Sequence, residues 1–515
     1  MNNTLLLSLA ISLACASASA AVEAPREKTE AKTQAPTGKL TPARRWPITA
    51  AWDKTIFVSK TSATLQTGPM SLLPRGSALL DRVTQALQEL GCDQVRGTTG
   101  WFCYPRRAVA ELEPPKDGKA TWDFALMDQK LEGFFKATAG HSVLLTFCTI
   151  PQWMFITEKP VPYPDDPDQV AWNYRQGTEF RDPTLKEVAD YFARVTSWYT
   201  KGGFTDEYGK FHRSDHSYTI DYYGVLNEPD IEHKMTPETY TRVYDAIVAA
   251  VRKVQPRMKF VGLSLAYPSR QPRYFEYFLN PKNHKAGIPI DLISYHFYAT
   301  PGGDEGPEVQ QYTVFAQADG FLNTVRYVEL IRQRLAPKTM TYLEELGAIP
   351  AGDLAVPRQP IPDSWWNLSG ALYAYLYGNL AALGIDLAGA SQLIGFPGQF
   401  PGVSMVDWNT GQPNARYWVL KLIHDNFGPG DKLVETTSST PCVYAQGFIS
   451  RNGSRKLLLV NKRDRSFDLA IPGGAGAEVA YVDQSTGFQP PATGRLQGDR
   501  ISLQGLAVTV VNLPR

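Results

Sequence analysis

The chain lacks the marks of several large protein classes. Its 52 Lys and Arg stand against 51 Asp and Glu, a net charge of +1 scattered over 515 residues. No basic face is therefore expected to track phosphates or an anionic bilayer, and neither nucleic acid nor a membrane is an expected partner. No glycine-rich fingerprint opens a helix, so no dinucleotide site is expected, and the residues give no reason for a cofactor. Beyond the first twenty residues no apolar run has the length and purity of a transmembrane helix. Cysteine is scarce: Cys15 lies in the apolar start, leaving Cys92, Cys103, Cys148 and Cys442. Cys148 ends the apolar run SVLLTFC and reads as a core thiol, so only Cys92 with Cys103 is a plausible local disulfide. No internal repeat is evident.

What is present is a globular composition, 43% hydrophobic, 20% charged and 11% aromatic. Residues 1–20 carry an apolar stretch too short to span a bilayer and end on Ala18-Ser19-Ala20, a small-x-small cleavage pattern. A signal peptide is expected there, with a secreted or periplasmic mature chain. Cys15 after Leu13-Ala14 leaves lipoprotein anchoring as the alternative, against which Ser12 stands at the usual Leu position. Residues 21–45, rich in Ala, Thr, Pro and charge, read as a disordered leader.

From about 78 to 428, β-rich runs alternate with helical patterns: CDQVRGTTG, SVLLTFCTI, DYYGVLNEP, KFVGLSLAY, DLISYHFYA and TMTYLEELG, with PETYTRVYDAIVAAVRKV and GALYAYLYGNLAALG among the helices. This alternation implies a parallel sheet, and its length suits a (β/α)8 TIM barrel with long loops. After Gly428-Pro429-Gly430 the texture changes to short strands and turn signals, read as a C-terminal β-sandwich over 429–515. Residues 46–77 are an N-terminal segment that can add a strand to that sandwich.

Two carboxylates stand where barrel chemistry is done. In DYYGVLNEPD the strand-forming Tyr222, Tyr223, Val225 and Leu226 run into Pro229, which places Asn227 and Glu228 at the strand's C-terminal mouth. In MTYLEELG a second strand ends on Glu344 and Glu345. Simple alternation puts Thr341, Leu343 and Glu345 on the inward face and turns Glu344 away or toward the rim. Two glutamates at two strand mouths are what retaining glycoside hydrolysis requires, one as nucleophile and one as acid/base. A pair of ion-paired rim glutamates is the competing reading. In DLISYHFYA, Ser294, His296 and Tyr298 form a polar column on one face, suited to holding a nucleophile ionised and orienting a sugar hydroxyl. Arg96, ending CDQVR, suits the same task or a structural ion pair. Trp153, Trp365 and Trp366 fall on expected βα loops, where one or more can stack on a sugar face, core packing being the competing reading for each.

Over roughly residues 75 to 515 the chain resembles a clan A glycoside hydrolase and is most similar to family 39, on VRGTTGWF at the first strand, WDFALMDQKLEGFF, LTFCTIPQWM, GVLNEPD, SYHFY, LEELG and VDWNTGQPNARYW. The resemblance implies a retaining hydrolase with Glu228 on strand four as acid/base, Glu345 on strand seven as nucleophile, and Asn227 as ligand of the sugar 2-hydroxyl. It departs from the family where Gly97-Thr98-Thr99 replaces a substrate-binding histidine, and where Glu344 replaces a threonine, adding a carboxylate that can read a hydroxyl or amine. Two other classes compete. His212, Asp215 and His216 in FHRSDH stand close enough to suggest metal chemistry, although that polar stretch reads as a solvated loop, and the same barrel can serve a non-catalytic carbohydrate-binding protein. The sequence leaves the sugar, endo or exo action, and the oligomeric state open.

Overall fold

The computed structural model describes residues 45–68, 73, 76–100, 103–171, 174, 176–353, 360–395 and 400–514. The expected signal peptide and leader, apart from Arg45, lie outside the described residues. Among these, no helix is long and apolar enough to cross a membrane.

Eight parallel strands close into a barrel: β2 (Ser62–Gln66), β3 (Gln94–Thr98), β4 (Ser142–Phe147), β7 (Tyr222–Val225), β8 (Lys259–Leu265), β9 (Leu292–Ala299), β10 (Met340–Ala348) and β11 (Leu387–Ala390). The helices α1 (Ala78–Leu90), α2 (Ala125–Ala137), α3 (Lys186–Lys201), α4 (Pro237–Val254), α5 (Pro272–Phe278), α6 (Pro307–Leu335), α7 (Asp363–Leu383) and α8 (Ala415–Asn426) fall between or after them. A small hairpin, β5 (Gly203–Thr205) with β6 (Phe211–Arg213), follows α3.

The barrel begins earlier than residue 78. SATLQ forms its first strand, so VRGTTGWF opens on the second strand and the Asn-Glu-Pro loop follows the fourth. Glu345 sits on the seventh. Residues 46–77 are thus divided: β1 (Trp46–Val58) leaves the barrel and pairs antiparallel with β12 (Lys432–Ser438) and parallel with β15 (Phe467–Ala470).

The C-terminal part is one nine-stranded sheet that also includes β13 (Val443–Ile449), β14 (Arg455–Asn461), β16 (Glu478–Val482), β17 (Ala492–Arg495), β18 (Arg500–Leu503) and β19 (Val508–Asn512). The sheet curls into a sandwich-like domain. Leu457 and Leu459 of β14 face a core of the domain's own, with Phe467, Leu469 and Leu503, while Leu458 and Val460 join the barrel's core. This is the period-two alternation of a strand buried on both faces.

Inside the barrel, Leu144, Val261, Leu292, Tyr342 and Leu387 form a small apolar layer, and the polar residues of the site lie above it. Two glycines make room. A Cβ on Gly224 would meet Thr146 Oγ1 at 2.5 Å, and one on Gly97 would meet the ring of Phe134 on α2 at 2.6 Å.

Cys92 and Cys103 are both free thiols. They lie before and after β3, which advances about 3.3 Å per residue and so holds them beyond disulfide reach.

Candidate active site

The site is built on Arg96, which has no exposed surface. Its Nη1 donates to Glu345 Oε1 at 2.5 Å, its Nη2 to Asn227 Oδ1 at 2.7 Å and its Nε to Thr146 Oγ1 at 3.1 Å; the Nε also lies 3.2 Å from Glu344 Oε2. One guanidinium therefore ties strands two, three and seven to the loop after strand four, a use of its fixed fork of donors that a lysine could not copy.

Glu345 accepts two more bonds, from Gln66 Nε2 at 2.8 Å and from the Tyr298 hydroxyl at 2.6 Å. Burial would raise its pKa, but the charges of His296 and Arg96 and the bonds from Tyr298 and Arg96 outweigh it, holding the carboxyl below its ordinary range. Burial and the charge of Glu345 keep the Tyr298 phenol protonated, as a donor must be.

Glu228 is shifted the opposite way. Burial, with the charges of Glu345 and Asp230, raises its pKa against the pull of His296, whose Nδ1 lies 2.9 Å from Glu228 Oε1. Burial disfavours charge on His296 too, yet Glu345 and the bond to Glu228 raise it to about 10, so the ring is an imidazolium that donates to Glu228. The side chain of Glu228 is 17% exposed while that of Glu345 is 3% exposed, so solvent reaches the protonated member of the pair. Ligand atoms of Glu228, His296 and Glu345 all lie within 4.8 Å of one another. That spacing would also suit a cation; the Arg96 guanidinium beside Glu345 already places a positive charge at the pair.

Backbone strain holds this geometry. Leu226 and Glu228 adopt φ of 63° and 40°, and Leu263 and Ser264 of β8 adopt 75° and 47°. The two irregular stretches meet where Glu228 N donates to Ser264 O at 3.0 Å. Non-glycine residues in the left-handed region cost about 1–3 kcal/mol each, and such strain clusters at functional sites.

The column Ser294, His296, Tyr298 does face inward, but β10 differs from simple alternation. Thr341 bonds Glu329 of α6 and Leu343 packs in the outer core, so both point outward, while Tyr342 fills the inner layer. The β9–β10 register slips between Tyr342 and Glu345. This bulge turns Glu344 and Glu345 both inward. Glu344 is thus not a rim residue. It has no exposed surface, accepts from Ser264 Oγ at 2.9 Å, and lies 3.6 Å from His296 Nε2, an ion-pair separation too long for a hydrogen bond.

Asn227 is also fully enclosed. Besides accepting from Arg96, it donates through Nδ2 to Glu232 Oε1 at 2.9 Å. Glu232 is a site residue that sequence reading missed, although its spacing four residues after Glu228 could have pointed to it; Glu232 N donates to Glu228 O at 2.8 Å. Burial and the charge of Glu228 push its carboxyl well above the ordinary range, and its Oε2 is enclosed without a partner. Gln66, Thr146, Ser264 and Ser391 were missed as well; Ser391 Oγ lies 2.5 Å from the Tyr298 hydroxyl.

The tryptophans do not join this cluster. Trp153 donates to Glu111 O at 2.9 Å with Arg181 4.4 Å over its ring. Trp365 is a core residue donating to Gly402 O at 2.9 Å, and Trp366 packs half-buried on α7 against the same core. His212 and His216 are likewise separate: the first bonds Asp206 at 2.8 Å, the second lies 3.3 Å from Asp128, and Asp215 is exposed.

No family model matches the chain, and no curated protein matches it by sequence. Solved structures do. A GH51 arabinofuranosidase from Xanthomonas axonopodis pv. citri superposes with a TM-score of 0.61 at 12% identity, covering 91% of this chain and 100% of that one. The catalytic domain of GH30 xylanase C from Talaromyces cellulolyticus gives 0.57 at 13%, and a thermostable GH51 alpha-L-arabinofuranosidase from Thermotoga petrophila RKU-1 gives 0.57 at 14%, each with the same coverage. At these identities the likeness establishes the fold: a (β/α)8 barrel with an appended β domain.

Proposed function

We propose that the chain is an exported retaining O-glycoside hydrolase of the family 39 kind, acting on an oligo- or polysaccharide. The observation that carries the reading is the pair Glu228 and Glu345: ends of strands four and seven, ligand atoms within 4.8 Å, and pKa values displaced in opposite directions. Two carboxyl groups with opposed environments divide into an acid and a nucleophile. The barrel neighbours named above, an arabinofuranosidase and a xylanase among them, favour a carbohydrate substrate.

In the first step the Glu345 carboxylate attacks the anomeric carbon while Glu228 gives its proton to the departing glycosidic oxygen, leaving a glycosyl ester on Glu345. In the second, Glu228, now ionised, takes a proton from water as that water attacks the same carbon and frees Glu345. Arg96, Gln66 and Tyr298 hold the nucleophile charged. The His296 Nδ1–H on Glu228 Oε1 leaves Oε2 to carry the transferable proton. The Asn227 amide is held by Arg96 through its oxygen and by Glu232 through one N–H, which leaves its second N–H to donate to a hydroxyl beside the anomeric carbon.

The test is product analysis on aryl xylosides, arabinosides, galactosides and glucosides and on bacterial exopolysaccharides. The reading requires turnover of at least one, abolished by Glu345→Gln. Turnover that survives this substitution, or none on any substrate, overturns it.

A further inference from the structure

A cleft of about 530 Å3 opens between the loop after β3, the loop after β4 and α3, apart from the catalytic cluster. That volume lies within the range of small-ligand sites, about 300–1,000 Å3. Glu111 lines it and is 2% exposed; its Oε1 is enclosed and has no hydrogen-bond partner. A buried carboxyl is ordinarily satisfied, so an orphaned one lining a cleft marks a place where a ligand completes the bonding.

The cleft's chemistry restricts the ligand. Its cations are spoken for, Arg181 by Glu187 at 2.7 Å and by the Trp153 ring it lies over, Arg194 by Glu207 at 2.8 Å and Lys186 by Asp190, so no free cation awaits an anion. Burial pushes Glu111 up to about 8, so at neutral pH the acid is mostly uncharged, offering one donor and one acceptor rather than a charge to a cation. The Trp153 indole N–H is used on the Glu111 carbonyl, which fixes the ring as part of the wall. A neutral acid beside the apolar wall of Trp153 and Met154 suits a neutral polyol. The wall is also joined to the catalytic loop: the Phe155 ring, next to Met154 of the cleft, lies 6.2 Å from the ring of His233, which follows Glu232.

We propose that this cleft is a second carbohydrate-binding site, which holds a neutral sugar unit through a hydroxyl bonded to Glu111, against the wall that Trp153 and Met154 form. The choice of sugar as ligand rests on the glycosidase reading.

The test uses the full chain with Glu345→Gln, so that no glycan is cut, labelled with 5-fluorotryptophan; the Trp153 fluorine signal is identified by its loss in Trp153→Phe. Neutral hexasaccharides of xylose, arabinose, glucose and galactose are titrated in turn. At least one is expected to shift the Trp153 signal saturably, with affinity about tenfold weaker in Glu111→Ala and within about twofold in Glu111→Gln, whose amide also donates and accepts. Should Glu111→Ala fail to fold, the parent titration and Glu111→Gln carry the test. In the active chain, Glu111→Gln should leave turnover of a small aryl glycoside unchanged. The proposal is overturned if no hexasaccharide moves the Trp153 signal, if Glu111→Ala binds as tightly as its parent, or if Glu111→Gln loses binding. An active chain that hydrolyses no aryl glycoside counts against the glycosidase reading alone, since the Trp153 titration does not depend on turnover.

Discussion

Glu344 and Glu345 are adjacent in sequence, yet both carboxylates reach the same guanidinium, Arg96, at 3.2 and 2.5 Å. Their roles nonetheless differ. Glu345 is the one that also takes bonds from Gln66 and Tyr298, and its partners are arranged to keep it charged. Glu344 braces the far side of Arg96 together with Ser264. Loss of Glu345 should cost several orders of magnitude in turnover, and a 2-fluoro glycoside should label Glu345 in a peptide digest. Glu344→Ala strips a buried cation of a partner and should cost about 3–5 kcal/mol of stability, read as a lower denaturation midpoint. Label on Glu344 would reverse the assignment.

Glu228→Ala should slow substrates with poor leaving groups far more than activated aryl glycosides, and azide should restore turnover by replacing the water that needs a base in the second step. Equal losses on both substrate types, with no azide response, would contradict its role.

The pH profile should be bell-shaped, rising as Glu345 ionises below the ordinary carboxyl range and falling as Glu228 loses a proton above it. His296 lowers both carboxyl pKa values, so His296→Gln should move both limbs of kcat/KM to higher pH. The same residue links pH to stability. Its folded pKa, about 10, exceeds the ordinary 6.5, so its contribution is full below about 6.5 and is lost as pH rises through 10. Denaturation midpoints of the parent should fall more across that window than those of His296→Gln.

Much of the barrel can be read from its β-branched and aromatic strands, but SATLQ and LAGA, small and polar, carry little strand propensity and take shape from their neighbours in the closed ring. Missing the first strand hid Gln66. The inward position of Glu345 follows from a bulge rather than from alternation, and no residue type in LEEL announces it. Asn227 and Glu228 were legible because a strand-forming run stops before Pro229, although the strand itself ends at Val225; Glu232 was not, because its significance lies in a contact with Asn227 made only once the loop turns. Trp365 and Trp366 pack against the barrel's core, because an indole near a loop packs inward as readily as it stacks on a sugar.

Glu232 supplies a further test. Asn227 donates to its Oε1, so the proton of the neutral acid belongs on Oε2. Glu232→Gln should therefore keep near-parent kcat/KM, its amide oxygen accepting from Asn227 as Oε1 does, while Glu232→Ala, which leaves the Asn227 amide unheld, should lose about 1–3 kcal/mol of transition-state binding. A 2-deoxy substrate should erase the difference between the two variants. Equal, severe losses in both would mean that an ionised Glu232 is required.

The most direct measurement is proton NMR of the sugar anomer first released from a substrate the enzyme cuts. Carboxyl ligand atoms within 4.8 Å leave little room for the water that an inverting enzyme seats between groups about 6.5–9.5 Å apart. The first product is predicted to carry the anomeric configuration of the substrate, the opposite anomer growing in only by mutarotation. A first product of inverted configuration would contradict the double displacement through Glu345, and with it the division of labour between Glu228 and Glu345.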